Sequence, residues 1–169
     1  MIGVLETERL VGEPMGLDHH GALMALLGDP RVGATLGGVQ TPEQSAETLA
    51  GHVAHWRRHG FGLWLWRDRE TCDVVARGGL RHTHVGGRDE VEVGWAVMPE
   101  RWGEGFATEL GAASLRVAFD VLALEDVVSF ALPANHASRR VMEKLGFELE
   151  RDVVYAGLPH VLYRLEAGR

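Results

Sequence analysis

The stretch that most constrains this chain is Glu92-Val93-Gly94-Trp95-Ala96-Val97 followed by Trp102-Gly103-Glu104-Gly105-Phe106-Ala107-Thr108-Glu109. The first part reads as a strand. The second opens a segment with apolar residues at 110, 113, 117, 118, 121 and 122, the stripe of an amphipathic helix. A glycine turn between a strand end and a helix start presents free backbone N–H groups at the positive end of the helix dipole. Gly103 and Gly105 permit dihedrals and close approaches that a side chain forbids. Such a turn suits a phosphate or pyrophosphate, and a phosphate-bearing ligand is the first expectation.

The rest of the chain alternates in a way that excludes a purely parallel sheet. Arg9 to Pro14 reads as a first strand and Leu17 to about Gly28 as a short helix, broken by Asp29-Pro30. Thr41-Pro42-Glu43-Gln44 carries an N-cap, a proline at the first helical position and a capping-box glutamine, so a helix is predicted to about His59, ended by Gly60. Strands follow at 61–66, 74–80 and 90–97, the last with Glu90 and Glu92 on one side and Val91 and Val93 on the other. Val127 to Leu132 reads as a buried strand. Ser138 is read as the cap of a helix with Val141, Met142 and Leu145 inward, closed by Gly146. Two closing strands, 147–150 and 160–165, flank Gly157-Leu158-Pro159. Hairpins first and strand–helix–strand afterwards imply a mixed α/β sheet.

Length and composition narrow the class. The 169 residues suit one domain, 1–169, with a sizeable core. Met1 to Leu5 runs into charged Glu6 and Glu8, unlike a signal peptide, and no apolar run approaches the ~20 residues of a membrane span. Cys72 is the only cysteine, so neither an internal disulfide nor a cysteine zinc site can form, and a cytoplasmic setting is expected. The net charge of −7 argues against nucleic-acid binding. A polyanionic ligand then needs a local basic patch, for which Arg139, Arg140 and Lys144 are candidates. His52, His55 and His59 share a helix face, and His82 and His84 alternate along a strand. With no cysteine or carboxylate in the pattern, no metal is expected, and these histidines read as a solvated face or a cleft rim. Trp64 and Trp66 share a strand face and read as core or as a wall of the site.

The glycine turn gains meaning from a second motif about 40 residues on, Asn135-His136-Ala137-Ser138 leading into Val141-Met142-Glu143-Lys144-Leu145-Gly146-Phe147. In this order and spacing the two resemble the GCN5-related N-acetyltransferase (GNAT) superfamily. Thr7-Glu8-Arg9-Leu10, Asp29-Pro30 and Glu92-Val93-Gly94-Trp95 further resemble its RimJ/RimL-like branch, which acetylates N-terminal amines of ribosomal proteins and other amines. The resemblance implies a GNAT fold, a mostly antiparallel, V-shaped mixed sheet flanked by helices. It implies acetyl-CoA (coenzyme A) as cofactor, with the pyrophosphate on Gly103, Gly105, Phe106, Ala107 and Thr108. Trp102, Gly105 and Ala107 fill the family's spaced positions, Trp102 where a polar residue is usual, which leaves the backbone cradle but removes a side-chain contact. Val97 and Met98 would pair with the pantetheine arm, Asn135 would hold it from the other side, and Ser138 would lie near the sulfur.

The implied chemistry is direct attack of an amine on a thioester. An ammonium has no lone pair, so a base must first take its proton. Glu92 is the candidate base, with Glu90 next. The oxyanion needs a donor such as the Val97 N–H. Many members of the resembled family use a tyrosine on the helix after the asparagine as acid; this chain has no tyrosine between 98 and 154, so the resemblance leaves Ser138 as the candidate acid by default, with Tyr155 and Tyr163 as outside candidates. The acceptor would be a primary amine, either a protein N-terminus or a small molecule. Dimers are common in the resembled family, and the oligomeric state stays open. The alternative is a non-catalytic acyl-CoA-binding module; the presence of both Glu92 and Ser138 favours an enzyme.

Overall fold

The computed structural model describes residues 2–169. Eight strands form one sheet: β1 (Leu5–Glu6), β2 (Leu10–Pro14), β3 (Leu63–Asp68), β4 (Val74–Val85), β5 (Arg88–Val97), β6 (Asp126–Ala131), β7 (Glu148–Tyr155) and β8 (Leu158–Glu166). Their spatial order is β1-β2-β3-β4-β5-β6-β8-β7, and every neighbouring pair is antiparallel except β5–β6. The helices are α1 (His20–Leu27), α2 (Pro30–Leu36), α3 (Pro42–His59), α4 (Phe106–Arg116) and α5 (His136–Lys144). This is the mixed, mostly antiparallel sheet flanked by helices that the sequence implies.

The parallel pair is where the sheet opens. β4 and β5 run in continuous register from Ala76–Val97 to Val85–Arg88, whereas β5 and β6 share the single bridge Glu92–Val128. The Ser129 hydroxyl donates to the Val93 carbonyl at 2.8 Å just beyond it. Past that point β5 continues to Val97 with no β6 partner, so its backbone edge is open on that side.

Local signals explain most element ends. Thr41 accepts from the Gln44 N–H while Gln44 reaches back to Thr41, and Gly60 ends α3 at φ 73°. At the end of α5, Gly146 donates to Glu143 and Phe147 to Met142, which closes a Schellman motif. Several boundaries differ from expectation. Asp29-Pro30 does not only end a helix: Asp29 caps α2 by accepting from the Arg31 N–H, with proline at its first position. The cap of α5 is Asn135, whose Oδ1 accepts from the Ser138 N–H, so the helix begins earlier and Ser138 lies inside its first turn. β4, β7 and β8 are longer than expected, because two-residue turns with positive φ at both positions (Gly86-Gly87 and Ala156-Gly157) extend both hairpins. The segment after α4 relaxes into a π-helical turn, Val117–Val121, rather than continuing as α-helix to 122.

The core lies between the sheet and its helices. Trp64 and Trp66 are fully buried, and each indole N–H is satisfied by a carbonyl, of Gly3 and Gly78 respectively. They are therefore core rather than a wall of the site.

Candidate active site

The glycine turn lies where β5 has parted from β6. Gly105 caps α4 at φ 83°, a left-handed conformation that favours glycine, and no side chain caps this helix. The N–H groups of Gly103 and Glu104 donate to no acceptor among the described residues, and those of Phe106, Ala107 and Thr108 belong to an uncapped first turn. Gly103 has nothing within 4 Å of where a Cβ would stand. An anion seated here would meet unspent donors and the helix dipole without displacing any protein group. The turn therefore fits a pyrophosphate by its own backbone chemistry.

Two arginines outside the predicted basic patch shape the turn. The guanidinium groups of Arg9 and Arg101 lie 4.3 and 4.8 Å from the Phe106 ring centroid. Arg9 also donates to the Glu104 carbonyl and pairs with Glu109 at 2.7 Å; Arg101 pairs with Glu104 and Asp68. The turn's own acids are thereby neutralised, with Glu104 the first of the causes that raise the Arg101 pKa. Arg140 and Lys144 are exposed on α5, whereas Arg139 is bound to the Pro133 carbonyl and the Tyr163 hydroxyl. The Arg9 contribution comes from the distant bend between β1 and β2 and has no local sequence signal.

Along the open edge of β5, the Val93 and Val97 carbonyls point away from β4, toward the Ser129 hydroxyl and the Trp102 indole. Strand alternation sets the N–H groups of Trp95 and Val97 on the same edge. Trp102 Nε1 donates to the Val97 carbonyl at 2.9 Å, so the residue in the usual polar position occupies one of the edge acceptors. Met98 instead turns its N–H toward the Val75 carbonyl of β4. α5, the helix that follows β6, is capped by Asn135. The Ser138 hydroxyl has no hydrogen-bond partner among the described residues.

The opposite face of the sheet carries the charged groups. Glu92 is 6% exposed and pairs with Arg81 of β4, Nε to Oε2 at 2.6 Å. Gly94 makes room for it, since a Cβ there would stand 3.1 Å from Oε1, so the side chain lies along the strand toward the parting. Arg81 also donates to the Tyr155 hydroxyl at 3.3 Å, and the Glu92 charge drives its pKa well above the usual value. Glu90 is held by Arg164 through two bonds, of 2.8 and 3.1 Å. Between α3 and β4 lies a cleft of about 330 Å³ lined by Thr48, His52, His55 and Arg81 among others. His55 accepts from the His82 N–H at Nε2, which makes its Nδ1 the donor to the Phe61 carbonyl. Burial, then the charges of Arg77 and Arg81, push His52 down to about 3. The His59 and His82 rings pack against each other at 4.3 Å, tilted by 49°. Among the described residues, no group of histidines, cysteines or acids is placed to hold a metal.

Comparison with known proteins agrees with this arrangement. The family model of the acetyltransferase (GNAT) domain matches residues 9–148. The FsC-acetyl coenzyme A-N(2)-transacetylase of Aspergillus fumigatus is 31% identical over 152 residues, 84% of this chain and 63% of that protein. The structure of an acetyltransferase from Agrobacterium tumefaciens superposes with a TM-score of 0.86 at 26% identity, covering 98% of this chain and 95% of that one. RimL, the ribosomal L7/L12 alpha-N-protein acetyltransferase solved with coenzyme A, has a TM-score of 0.78 at 15% identity over 96% and 97% of the two chains, a likeness of fold. The family model covers most of the chain, and the chain belongs to the GNAT family and is an acetyl-CoA-dependent N-acetyltransferase.

Proposed function

We propose that this enzyme transfers the acetyl group to a primary amine by direct attack, with Glu92 as base and Ser138 as acid. The observation that carries the reading is the parting of β5 from β6 beside the free N–H groups of residues 103–108. The unpaired strand edge would form one wall of a slot, and Asn135 and Ser138, at the start of the helix that follows β6, the other. Acetyl-CoA supplies the thioester. Gly103, Gly105, Phe106, Ala107 and Thr108 would take its pyrophosphate, Trp95, Val97 and Met98 border the arm, and the free amide of Asn135 faces it from α5.

The remaining steps belong to the chain's own groups. Cys72 is exposed in the β3–β4 turn, so a cysteine acyl intermediate has no nucleophile at the site. Holding an amine and a thioester together supplies much of the rate. Glu92 takes the ammonium proton, directly or through water, while Arg81 holds its carboxylate and is itself held by the Tyr155 hydroxyl. The Val97 N–H faces the position where negative charge develops. Ser138, with its hydroxyl unspent, can return a proton to the thiolate.

The test is thiol release from acetyl-CoA against N-terminal peptides, polyamines, amino sugars and amino acids. Acceptor-dependent release is expected. Calorimetric binding of acetyl-CoA without release from any acceptor would favour the non-catalytic binding module.

A further inference from the structure

Arg77 is the one arginine, among the described residues that are not exposed, with neither a hydrogen bond nor an ion pair. Its Nε is sealed from solvent without a partner. It sits on β4 opposite Ala96 of β5, on the same face as Arg81 and Glu92, next to the end of β5 that borders the slot. Burying a cation without a partner is costly unless something else compensates it.

The charges around it do not balance. Arg77 and Arg81 are two half-buried cations and Glu92 is one buried carboxylate, already bonded to Arg81. Tyr155 is bound to Arg81 as well. His52, the cleft residue that feels both arginines, is neutral above about pH 3, so it adds no charge but can offer a ring N–H. Burial and the Arg81 charge lower Arg77 to about 10, still cationic at neutral pH. Glu47 at the exposed rim of the cleft pairs with neither arginine. One positive charge is therefore left over inside the acceptor side of the site.

We infer that Arg77 is the seat for a carboxylate on the acceptor, so that the substrate is an amine that also carries a carboxylate, such as a free amino acid. A guanidinium fork matches a carboxylate in two parallel bonds. A single carboxylate cancels the surplus charge, whereas a phosphate dianion would leave the site negative beside Glu92. The geometry then sets the carboxylate at Arg77 and leaves the amine toward Glu92, on the strand that borders the slot. This inference rests on the acetyl-transfer reading and narrows it to one acceptor class.

The experiment compares matched acceptors with the full chain: phenylalanine against phenethylamine, methionine against 3-(methylthio)propylamine, and phosphoethanolamine against ethanolamine. Thiol release is followed in wild type, Arg77→Gln and Arg77→Lys, and calorimetry on the coenzyme A-loaded protein reads acceptor binding without turnover. The expected result is a preference of about 10²-fold in kcat/KM for the carboxylated member, as for loss of a charge-assisted pair. Arg77→Gln erases it through KM, Arg77→Lys keeps part of it, and the melting temperature of Arg77→Gln does not fall, because an unpartnered cation has been removed. Equal use of both members of each pair, a preference that survives Arg77→Gln, a preference for phosphoethanolamine, or no carboxylate-dependent binding each overturns the inference. Acetylation of the carboxylate-free amines at least as efficiently as of their carboxylated partners overturns it while leaving acetyl transfer intact. Carboxylate-dependent binding lost in Arg77→Gln without any turnover supports the seat and sinks acetyl transfer instead.

Discussion

The two sides of the site are built in opposite ways. The proposed cofactor side is mostly local: one turn, one helix start and one strand end within residues 92–108 set its backbone donors, and the side chains there mostly neutralise one another. The acceptor side is assembled from β4, β5, α3 and the β7 end, with Arg77, Arg81, Glu92, His52 and Tyr155 drawn from far-apart positions. Backbone N–H groups do the binding on the first side and charged side chains on the second. Single side-chain changes should therefore act strongly on acceptor chemistry and weakly on cofactor binding, unless they disturb the turn's dihedrals.

The sharpest break of that comparison is Glu92→Gln. Loss of a general base is worth about 10²–10⁴-fold in kcat, and acetyl-CoA affinity measured by calorimetry should stay within about 2-fold of wild type, a difference under 0.5 kcal/mol. Wild-type kcat in the variant would leave Glu92 only its pairing role with Arg81. A smaller effect is expected from Trp102→Gln, which frees the Val97 carbonyl. One net hydrogen bond is worth about 0.5–1.5 kcal/mol, so acetyl-CoA affinity should rise about 2–10-fold; a loss would mean that the indole itself contacts the cofactor. Asn135→Ala removes the α5 cap at about 1 kcal/mol. The melting temperature should drop by about 2–4 °C, with acetyl-CoA affinity falling alongside if the Asn135 amide faces the arm.

The smallest effect is a pH dependence on the acceptor side. His52 is lowered from 6.5 to about 3, first by burial. The unfolded chain therefore binds more protons between those values, and the stability held by neutral His52 is complete above pH 6.5 and lost as pH falls toward 3. His55 and His59 are lowered as well and act in the same direction. In His52→Gln the fall in melting temperature between pH 7 and pH 5 should be smaller than in wild type; an unchanged fall would locate the sensitivity in the other two. The lowered carboxylates Asp29, Asp68, Glu100, Glu109 and Glu150 contribute stability that is lost only as pH falls below their ordinary values of 3.8 for Asp and 4.5 for Glu.

The contrast also explains what could be read from the chain. Thr41-Pro42-x-Gln44, Gly60, Gly105 and Gly146 each write a local boundary, and the sheet class followed from hairpins preceding strand–helix units. Asn135 was visible as a motif residue, but its cap was assigned to Ser138, because both residue types cap helices and only the backbone decides which one does. The Gly86-Gly87 turn was a readable hairpin signal that extends β4. Arg9 over Phe106, Arg81 against Glu92, and the solitary Arg77 had no local signature. Those contacts depend on strand register and on which face a helix covers, and neither is set by nearby residues.

The most direct measurement is calorimetry of acetyl-CoA on Gly105→Val and Glu92→Gln side by side. Valine at φ 83° should disrupt the turn. Losing two charge-assisted donors at about 1.5–3 kcal/mol each would weaken binding by at least about 10²-fold. The account predicts that loss in Gly105→Val and wild-type affinity in Glu92→Gln. Tight binding by Gly105→Val, or loss of binding in Glu92→Gln, would contradict the division of the site into a backbone-built cofactor side and a side-chain-built acceptor side.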